Sequence, residues 1–296
     1  MNKHLLSIII PTFNRVGLLK RTIESIINQS YSNWECIIVD DGSTDDTPNY
    51  LSTLTILDSR FKFHRNERTK GAPGARNTGI VLAKGKYIVL FDSDNLMHTE
   101  FMKEMIDFAE TNKVDIVTCF ANVLYENQTT MDKFNWICNG NIERELFTGE
   151  SYVDNNNALI LTSKLKQIGP TDELCPSFQE WDTHIRLSRK SVYGTIEKVL
   201  LDYVRGDVET ISSDSARSVE GYFYILEKYF ESFVKHKSIV YHGKRILKHI
   251  EEVEDNQRKM EFQAKIKKLI PNLKASIRIA KFKHAILKSI AQMTRK

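Results

Sequence analysis

Residues 86–95, KYIVLFDSDN, decide how this sequence is interpreted, because an apolar run leads directly into two carboxylates. The run has the length and the β-branched and aromatic content of a buried strand. Asp92 and Asp94 follow it, with only Ser93 between them. Two carboxylates at this spacing can point the same way, and a divalent cation bound through their oxygens relieves their repulsion. The alternative is an Asx turn that caps the next helix, TEFMKEM.

The segments before this stretch alternate between strand and helix patterns. Strands are predicted for LLSIII, WECIIVD, FKFHR and KYIVLFD, and helices for RVGLLKRTIESIINQ and ARNTGIVLAKG. A turn followed by a helix is predicted for DGSTDDTPNYLSTL. This alternation predicts an α/β fold, a mostly parallel central sheet with helices on both faces. Ligands bind such sheets beyond the carboxyl ends of the strands. The polar ends PTFN, DDGSTDD and DSDN are therefore expected at one edge.

Two of the remaining polar stretches have both structural and functional interpretations. In DDGSTDD, Ser43 or Thr44 can cap the next helix, whereas Asp40 and Asp41 have no such explanation. A carboxylate there can accept a hydrogen bond from a ring N–H such as N3 of uracil. Arg76 stands at a loop-to-helix junction and can pair with a phosphate. The sequence has neither the lysine ending of a phosphate loop nor a GxGxxG after the first strand, which disfavours dinucleotide binding.

The second half of the chain predicts a domain division. A helix, EFMKEMIDFAET, and a strand, VDIVTCFA, are followed from residue 122 to residue 176 by no interpretable pattern. A helix in FQEWDTHIRLSRK and a strand in YGTIEKVLLDYV come next, and the sequence from residue 219 onward has a helical pattern throughout. We therefore predict an α/β domain over residues 1–218 and a helical extension over residues 219–296.

The charge of the chain is concentrated at its end. Residues 262–296 hold ten Lys or Arg and no Asp or Glu, so the first 261 residues carry a net charge of −6 although the whole chain carries +4. Apolar residues recur there at helical spacing, namely Ile279, Phe282, Ile286, Ile290 and Met293. A basic amphipathic helix suits an anionic membrane surface. A helix docked on its own domain is equally compatible, and nucleic-acid binding is disfavoured because Phe282 is the one aromatic residue from Lys265 to Lys296.

Composition also indicates a compartment. The first apolar run is short and ends at Pro11 without a small-residue cleavage site, which argues against a signal peptide, and no run is long enough for a membrane span. The four cysteines are scattered without CxxC spacing, as is typical of a reducing environment. A cytoplasmic location follows as the expectation.

Five motifs together resemble a known family. SIIIPTFNR, IIVDDGSTDDT, GARNTGI, GKYIVLFDSDN and EWDTHIRL occur in the order and approximate spacing of the family 2 inverting glycosyltransferases, which have the GT-A fold. The resemblance covers about the first two hundred residues. It implies that Asp41 contacts the uracil of a UDP-sugar, that Pro11 and Thr12 line the nucleotide pocket, and that Arg76 lies nearby. It also identifies Asp92-Ser93-Asp94 as the DXD motif, with Asp94 the more direct ligand of Mn²⁺ or Mg²⁺.

The resemblance further implies a catalytic base. The family's base is usually the acid of an ED pair before a tryptophan, and that pair reads Gln179-Glu180 here, so Glu180 takes the role by position, with Asp182 as the alternate. From the residues alone, Ser177 and Glu180 would form a capping box. Many relatives carry a histidine after the last strand, and this sequence has none there. Arg205 could contact phosphate instead. We interpret His184 as a helix-face residue, not a ligand.

The resulting expectation is an inverting, metal-dependent glycosyltransferase. It would transfer a hexose or N-acetylhexosamine from a UDP-sugar to a hydroxyl of a lipid-linked glycan in bacterial capsule or O-antigen synthesis, as a peripheral protein on the inner face of the cell membrane. Two other functions compete, a nucleotidyltransferase of similar layout and an inactive membrane-associated nucleotide-sugar-binding protein. PTFNR lacks the glycine-rich loop typical of the first, and the intact Asp92, Asp94 and Glu180 argue against the second.

Overall fold

The computed structural model describes residues 4–125, 131–205 and 214–271. Contacts divide the chain into two compact units. The sheet unit comprises Met1–Leu174 and Gln179–Val208, and the helical unit comprises Cys175–Phe178 and Glu209–Lys296.

The sheet unit is built on a mixed sheet. Its strands within the described residues are β1 (Leu6–Thr12), β2 (Trp34–Asp40), β3 (Phe61–Arg65), β4 (Tyr87–Leu90), β5 (Leu96–Met97), β6 (Ile116–Tyr125), β7 (Met131–Phe134), β8 (Ala158–Leu161) and β9 (Tyr193–Arg205). They lie in the order β3-β2-β1-β4-β8-β6-β9-β5, and β7 pairs with β6. The first four strands are parallel to one another, and β6 is parallel to β9. The pairs β4–β8, β6–β8, β6–β7 and β5–β9 are antiparallel.

Helices cover both faces of this sheet. They are α1 (Val16–Ile27), α2 (Thr47–Leu57), α3 (Ala72–Leu82), α4 (Phe101–Asn112), α5 (Glu143–Thr148), α6 (Thr162–Ile168) and α7 (Gln179–Ser188). Side chains alternate along β1, so Ile8 and Ile10 join the core cluster that holds the apolar stripes of α1 and α4. Ile9 faces the other way, towards α3.

A close approach fixes α3 on the sheet. A Cβ atom at Gly79 would lie 2.4 Å from Cγ2 of Ile9, so only glycine lets the helix pack this near to β1. Arg76 lies one turn earlier on the same helix and is buried. The glycine therefore determines how closely Arg76 approaches the ends of the strands.

The predicted fold class is confirmed, with one difference. The α/β arrangement with C-terminal helices is present, and the segment from residue 122 to residue 176, which had no interpretable pattern, contributes β7, β8, α5 and α6. The sheet is mixed rather than mostly parallel because β8 runs antiparallel between β4 and β6. The short run ALIL could not indicate its partner or direction, since register and pairing are set by tertiary contacts.

The helical unit contains α8 (Ser215–Lys228), α9 (Phe230–Lys235), α10 (Ile239–Glu251) and α11 (Asn256–Leu269). Asp214 and Asp255 cap the first and last of these helices through the backbone N–H groups of Arg217 and Arg258. The boundary predicted at residue 218 falls inside α8, and we propose instead the division at residue 208. The predicted amphipathic tail beyond residue 271 lies outside the described residues.

Two further expectations concern the environment of the chain. All four cysteines are buried free thiols. Across the three described ranges, no helix combines the length and the apolar content that crossing a membrane requires.

Candidate active site

Three strand ends meet at one edge of the sheet, as predicted. Thr12 pairs with Asp40 in the parallel register of β1 and β2, and the N–H of Asp41 donates to the carbonyl of Thr12 at 2.9 Å. The DSD stretch follows β4, the neighbour of β1 on the other side. We call this edge the carboxyl edge.

The two aspartates after β2 have different environments. Asp40 is buried, and its carboxylate accepts hydrogen bonds from the N–H of Ser43 at 3.1 Å and from the Ser43 hydroxyl. The predicted helix cap at Ser43 or Thr44 is therefore wrong, because α2 begins at Thr47, whose N–H donates to the Asp45 carboxylate at 3.0 Å. Asp40 shapes the loop and is not available to a ligand.

Asp41 is partly exposed and held in place. One carboxylate oxygen accepts from Nδ2 of Asn66 at 2.6 Å and the other from the N–H of Gly71 at 2.7 Å. Each oxygen keeps a lone pair, so the carboxylate can still accept a hydrogen bond from a ring N–H.

The end of β1 forms the floor beside Asp41. Pro11 and Thr12 are buried, and the Thr12 hydroxyl has no hydrogen-bond partner within the described part of the chain. Asn14, at φ 49°, accepts from the N–H of Thr44 at 2.7 Å and thereby fastens this strand end to the loop after β2. A buried hydroxyl without a partner is a group that a bound ligand can satisfy.

Asp92 is held from two sides. Its carboxylate accepts from Nη2 of Arg76 at 2.6 Å and from Nδ2 of Asn156 at 2.8 Å, while its N–H donates to Oδ1 of Asn156 at 2.7 Å. Ser93 is buried behind it. Asn156 can reach this position because an antiparallel strand begins where its neighbour ends, so the residues before β8 lie beside the end of β4. The Asx-turn alternative is wrong, since β5 follows the motif and neither aspartate caps a helix.

Asp94 is the second carboxylate of the motif, and its pKa is shifted. Burial and the charge of Asp92 raise its pKa to about 6, although Arg15, whose Nη1 lies 3.1 Å from Oδ2 of Asp94, acts in the opposite direction. A carboxylate destabilised by burial and by a like charge gains from a nearby cation. Oxygen ligands of this kind fit Mg²⁺ or Mn²⁺.

A third carboxylate was not found by sequence reasoning. Asp154 lies before β8, and burial together with the charge of Asp92 raises its pKa. Its carboxylate accepts from the N–H and the side chain of Asn156 at 2.8 and 2.7 Å. The polar run DNNN directly before the apolar ALIL was the available signal, because a polar run at a strand end is where ligand sites form.

Glu180 stands near the start of α7 and faces this group. Burial and the charge of Asp154 raise the pKa of Glu180, while the Tyr152 hydroxyl, which donates to Oε1 at 2.7 Å, and Arg76 oppose that rise. The predicted capping box is not formed, because α7 begins at Gln179 and Phe178 directly before it adopts φ 63°. Glu180 is therefore directed to the site and not to the helix end.

Comparison with known proteins places this edge in context. The sequence profile described as "Glycosyl transferase family 2" matches residues 7–169, more than half of the 296 residues. The chain belongs to this family.

Two curated relatives of this family 2 chain come from Escherichia coli. The UDP-Glc:alpha-D-GlcNAc-diphosphoundecaprenol beta-1,3-glucosyltransferase WfgD is 34% identical over 45% of this chain and 52% of its own length. The glucosyltransferase WfaP, described with the same activity, is 44% identical over 37% of this chain and 43% of its own length. The matched region thus spans about half the length of these relatives or less.

A solved structure shares the fold of this family 2 chain. The crystal structure of S. aureus TarS 1-349 in complex with UDP-GlcNAc has a TM-score of 0.68 at 15% identity, over 93% of this chain and 92% of that one. At this identity the likeness concerns the fold alone.

The alternate base is less suited to the role. Asp182 is fully buried and forms an ion pair with Arg186, whose Nε lies 2.9 Å from Oδ2. His184 is also fully buried on α7, 3.0 Å from the Tyr193 hydroxyl, and burial lowers its pKa to about 3. The interpretation of His184 as a helix residue and not a ligand agrees with this position.

The remaining predicted contact is at the end of β9. Arg205 is exposed there, near enough for its charge to act on Tyr152. Among the described residues, no cluster of three His, Cys, Asp or Glu side chains is arranged to hold a metal ion. A cation at Asp92 and Asp94 would therefore need further oxygen ligands, which a diphosphate offers.

Proposed function

We propose that this chain is an inverting glycosyltransferase that moves a sugar from a UDP-sugar to a hydroxyl of a glycan acceptor. The grouping of Asp92, Asp94 and Glu180 at the carboxyl edge, in a chain that belongs to family 2, is the observation that carries the proposal. Asp41 would accept from N3–H of uracil, with Pro11 and Thr12 beside the nucleotide and Arg76 near its phosphates.

Glu180 is the proposed general base. It would take the proton of the acceptor hydroxyl while that oxygen bonds to the anomeric carbon. The bond from this carbon to the UDP oxygen breaks, and UDP leaves with the electron pair. A single displacement through an oxocarbenium-like state inverts the configuration. The raised pKa of Glu180 supports this role, because a carboxylate of higher pKa is the stronger base.

Asp94 and Asp92 would hold Mn²⁺ or Mg²⁺. When bound, the cation supplies charge neutralisation for the diphosphate. Arg76 contributes a fixed positive charge to the same corner, since its guanidinium is buried against Asp92.

The donor we propose is UDP-glucose, and the acceptor a glycan on a polyprenyl diphosphate lipid. Support comes from the relatives described as UDP-Glc glucosyltransferases that act on GlcNAc-diphosphoundecaprenol. UDP-GlcNAc, UDP-galactose and UDP-GalNAc are the competing donors. Such an acceptor is used at a membrane surface, so we further propose peripheral association at the cytoplasmic face through the basic tail. Sedimentation with phosphatidylglycerol vesicles should then fall when Lys281, Lys283 and Lys288 are replaced by Glu.

UDP release tests the activity. It would be measured with each of the four donors, Mn²⁺ and a synthetic alkyl diphosphate carrying α-linked GlcNAc, for the wild type, Asp94→Asn and Glu180→Gln. Wild type should prefer UDP-glucose, and both variants should lose activity by about a hundredfold or more. Glu104→Gln is the matched control, because Glu104 is a surface residue paired with Lys198.

Three results would count against the proposal. Wild-type activity in a folded Glu180→Gln protein would remove Glu180 as the base. Full activity in the presence of EDTA would show that the reaction does not require a divalent cation. Transfer of a nucleotidyl group instead of a sugar would show that the chain is a nucleotidyltransferase and not a glycosyltransferase.

A further inference from the structure

Tyr152 makes a direct contact with the proposed base. Its hydroxyl donates to Oε1 of Glu180 at 2.7 Å, although the two residues are 28 positions apart in sequence. The side chain is partly buried, and burial, then the charges of Glu180 and Asp154, hold the pKa of Tyr152 well above its usual value. The hydroxyl therefore stays protonated and acts as the donor.

The ring of Tyr152 is itself held in place. Phe134, on β7, packs against it edge to face, with ring centroids 5.8 Å apart. Phe134 also contacts the ring of Tyr203, on β9, with the ring centroids 5.8 Å apart. The contact with Phe134, which is itself packed on Tyr203, restricts the rotation of the Tyr152 ring.

One fixed donor on one oxygen has a consequence for the other oxygen. A carboxylate can rotate about its last torsion, which is broad in energy. A hydrogen bond from a locked phenol to Oε1 restricts this rotation and leaves Oε2 as the oxygen that can face an acceptor hydroxyl. Proton abstraction depends on such alignment at hydrogen-bond distance.

We propose that Tyr152 is a positioning residue for Glu180, which fixes the carboxylate through Oε1 and presents Oε2 to the acceptor. The inference rests on the proposed function, because it takes Glu180 as the base. It adds a residue from a segment in which the sequence shows no motif.

The Tyr152 phenol and the charged groups around Glu180 also influence the pKa of Glu180. Asp154, before β8, raises the pKa of Glu180, and Arg76, on α3, lowers it. The Tyr152 hydrogen bond lowers it as well, because it stabilises the ionised form. Removal of the hydroxyl should therefore raise the pKa of the base and move the acid limb of the pH–rate profile to higher pH.

Tyr152→Phe tests the inference, because it removes the hydroxyl and keeps the ring. With the preferred donor and the GlcNAc diphosphate acceptor, kcat should fall about tenfold or more, the range expected for a hydrogen bond to a charged group. The KM of the UDP-sugar should stay near the wild-type value, and the acid limb should rise by about one pH unit. In a Glu180→Gln background, Tyr152→Phe should cause no further loss of kcat.

Tyr87→Phe is the matched control. Tyr87, at the amino end of β4, donates its hydroxyl to the carboxylate of Glu110, so the substitution removes the same kind of hydrogen bond away from the carboxyl edge. It should leave kcat and the pH profile unchanged. Thermal unfolding and UDP binding, measured for all variants, show that each is folded.

The possible outcomes separate this inference from the proposed function. If Glu180→Gln retains wild-type kcat, the base assignment fails, and the inference fails with it. If Glu180→Gln is inactive while Tyr152→Phe behaves like Tyr87→Phe, only the inference is overturned. A loss in Tyr152→Phe that adds fully to that of Glu180→Gln would also overturn it, since the phenol would then act independently of the base.

Discussion

Arg15 and Asp94 form an ion pair at the carboxyl edge, with 3.1 Å between Nη1 and Oδ2. Arg15 directly precedes α1, and Asp94 follows β4, so the pair joins two neighbouring strand ends. A divalent cation at Asp94 would meet a carboxylate that a guanidinium already neutralises. The guanidinium of Arg15 and the cation should therefore compete for the carboxylate of Asp94.

Arg15→Gln should therefore strengthen the binding of Mn²⁺ in the absence of nucleotide. We expect a two- to fivefold gain in affinity, corresponding to about 0.5–1 kcal/mol for a partly exposed ion pair. Free Mn²⁺ measured by electron paramagnetic resonance gives the Kd without any need for turnover. Arg144→Gln, which removes an exposed ion pair with Glu150, should have no effect. Unchanged or weaker binding in Arg15→Gln would rule out competition at Asp94.

Asp41→Asn should reduce the preference for uracil. The carboxylate can accept from N3–H of uracil, whereas N3 of cytosine has no hydrogen to donate. We expect the ratio of the Kd of CDP to the Kd of UDP, measured calorimetrically, to fall about tenfold or more. Asp46→Asn is the control within the same stretch. Asp46 is exposed, and its carboxylate accepts a hydrogen bond from Nδ2 of Asn49. An unchanged ratio in Asp41→Asn would assign uracil recognition to another group.

Glu35→Gln should lower stability in a pH-dependent way. Burial alone would raise the pKa of Glu35, but hydrogen bonds from Lys62, the Ser7 hydroxyl at 2.7 Å and the N–H of Lys84 at 2.8 Å lower it below its usual value. A depressed pKa in the folded state means that the ionised carboxylate stabilises the fold above about pH 4.5 and ceases to do so as the pH falls through the lower folded value.

We expect Glu35→Gln to cost about 1–3 kcal/mol of unfolding free energy at pH 7. The difference from wild type should shrink steadily below about pH 4.5. Urea unfolding at pH 7, 5 and 3.5 measures it, with the surface variant Glu104→Gln as the reference. A penalty that stays constant over this range would mean that the charge of Glu35 contributes nothing.

Gly79→Ala should disturb both stability and activity. The added Cβ would lie 2.4 Å from Cγ2 of Ile9, so α3 must move away from β1 and carry Arg76 with it. We expect a loss of about 1–3 kcal/mol in unfolding free energy and a lower kcat. Gly17→Ala is the matched control, because nothing lies within 4 Å of a Cβ at this helical glycine. It should keep or raise the Tm, since alanine favours helix. Equal Tm values for the two variants would show that the contact with Ile9 is not tight.

Local sequence patterns predicted the strands and the strand ends whose structure depends on neighbouring residues. Neighbouring residues specify the apolar runs of β1, β2 and β4 and the polar residues that follow them. The alternation of strands and helices predicts parallel strands, which is enough to bring Asp41 and Asp92 to one edge. Glu180 came from family resemblance, since the residues alone favoured a capping box that the helix start at Gln179 does not allow.

The rest of the site depends on contacts that local patterns cannot indicate. Asn156 reaches Asp92 over 64 positions of sequence, and it does so only because β8 enters the sheet antiparallel to β4. Tyr152 and Asp154 join the site for the same reason. Their residue types were visible in the sequence, but their partners depended on where a four-residue strand would pair.

The antiparallel entry of β8 also divides the site between two separate stretches of the sequence. Asp41 and the DSD motif lie within the first ninety-five residues, the continuous stretch to which we assign the nucleotide in the proposed function. Tyr152, Asp154 and Asn156 lie on a later stretch, and Asn156 contacts the first one at Asp92. On the proposed function, substitutions or length changes in this later stretch should alter which sugar or acceptor is selected and leave the nucleotide corner intact. The choice of glycosidic linkage would then depend on one short segment of the chain.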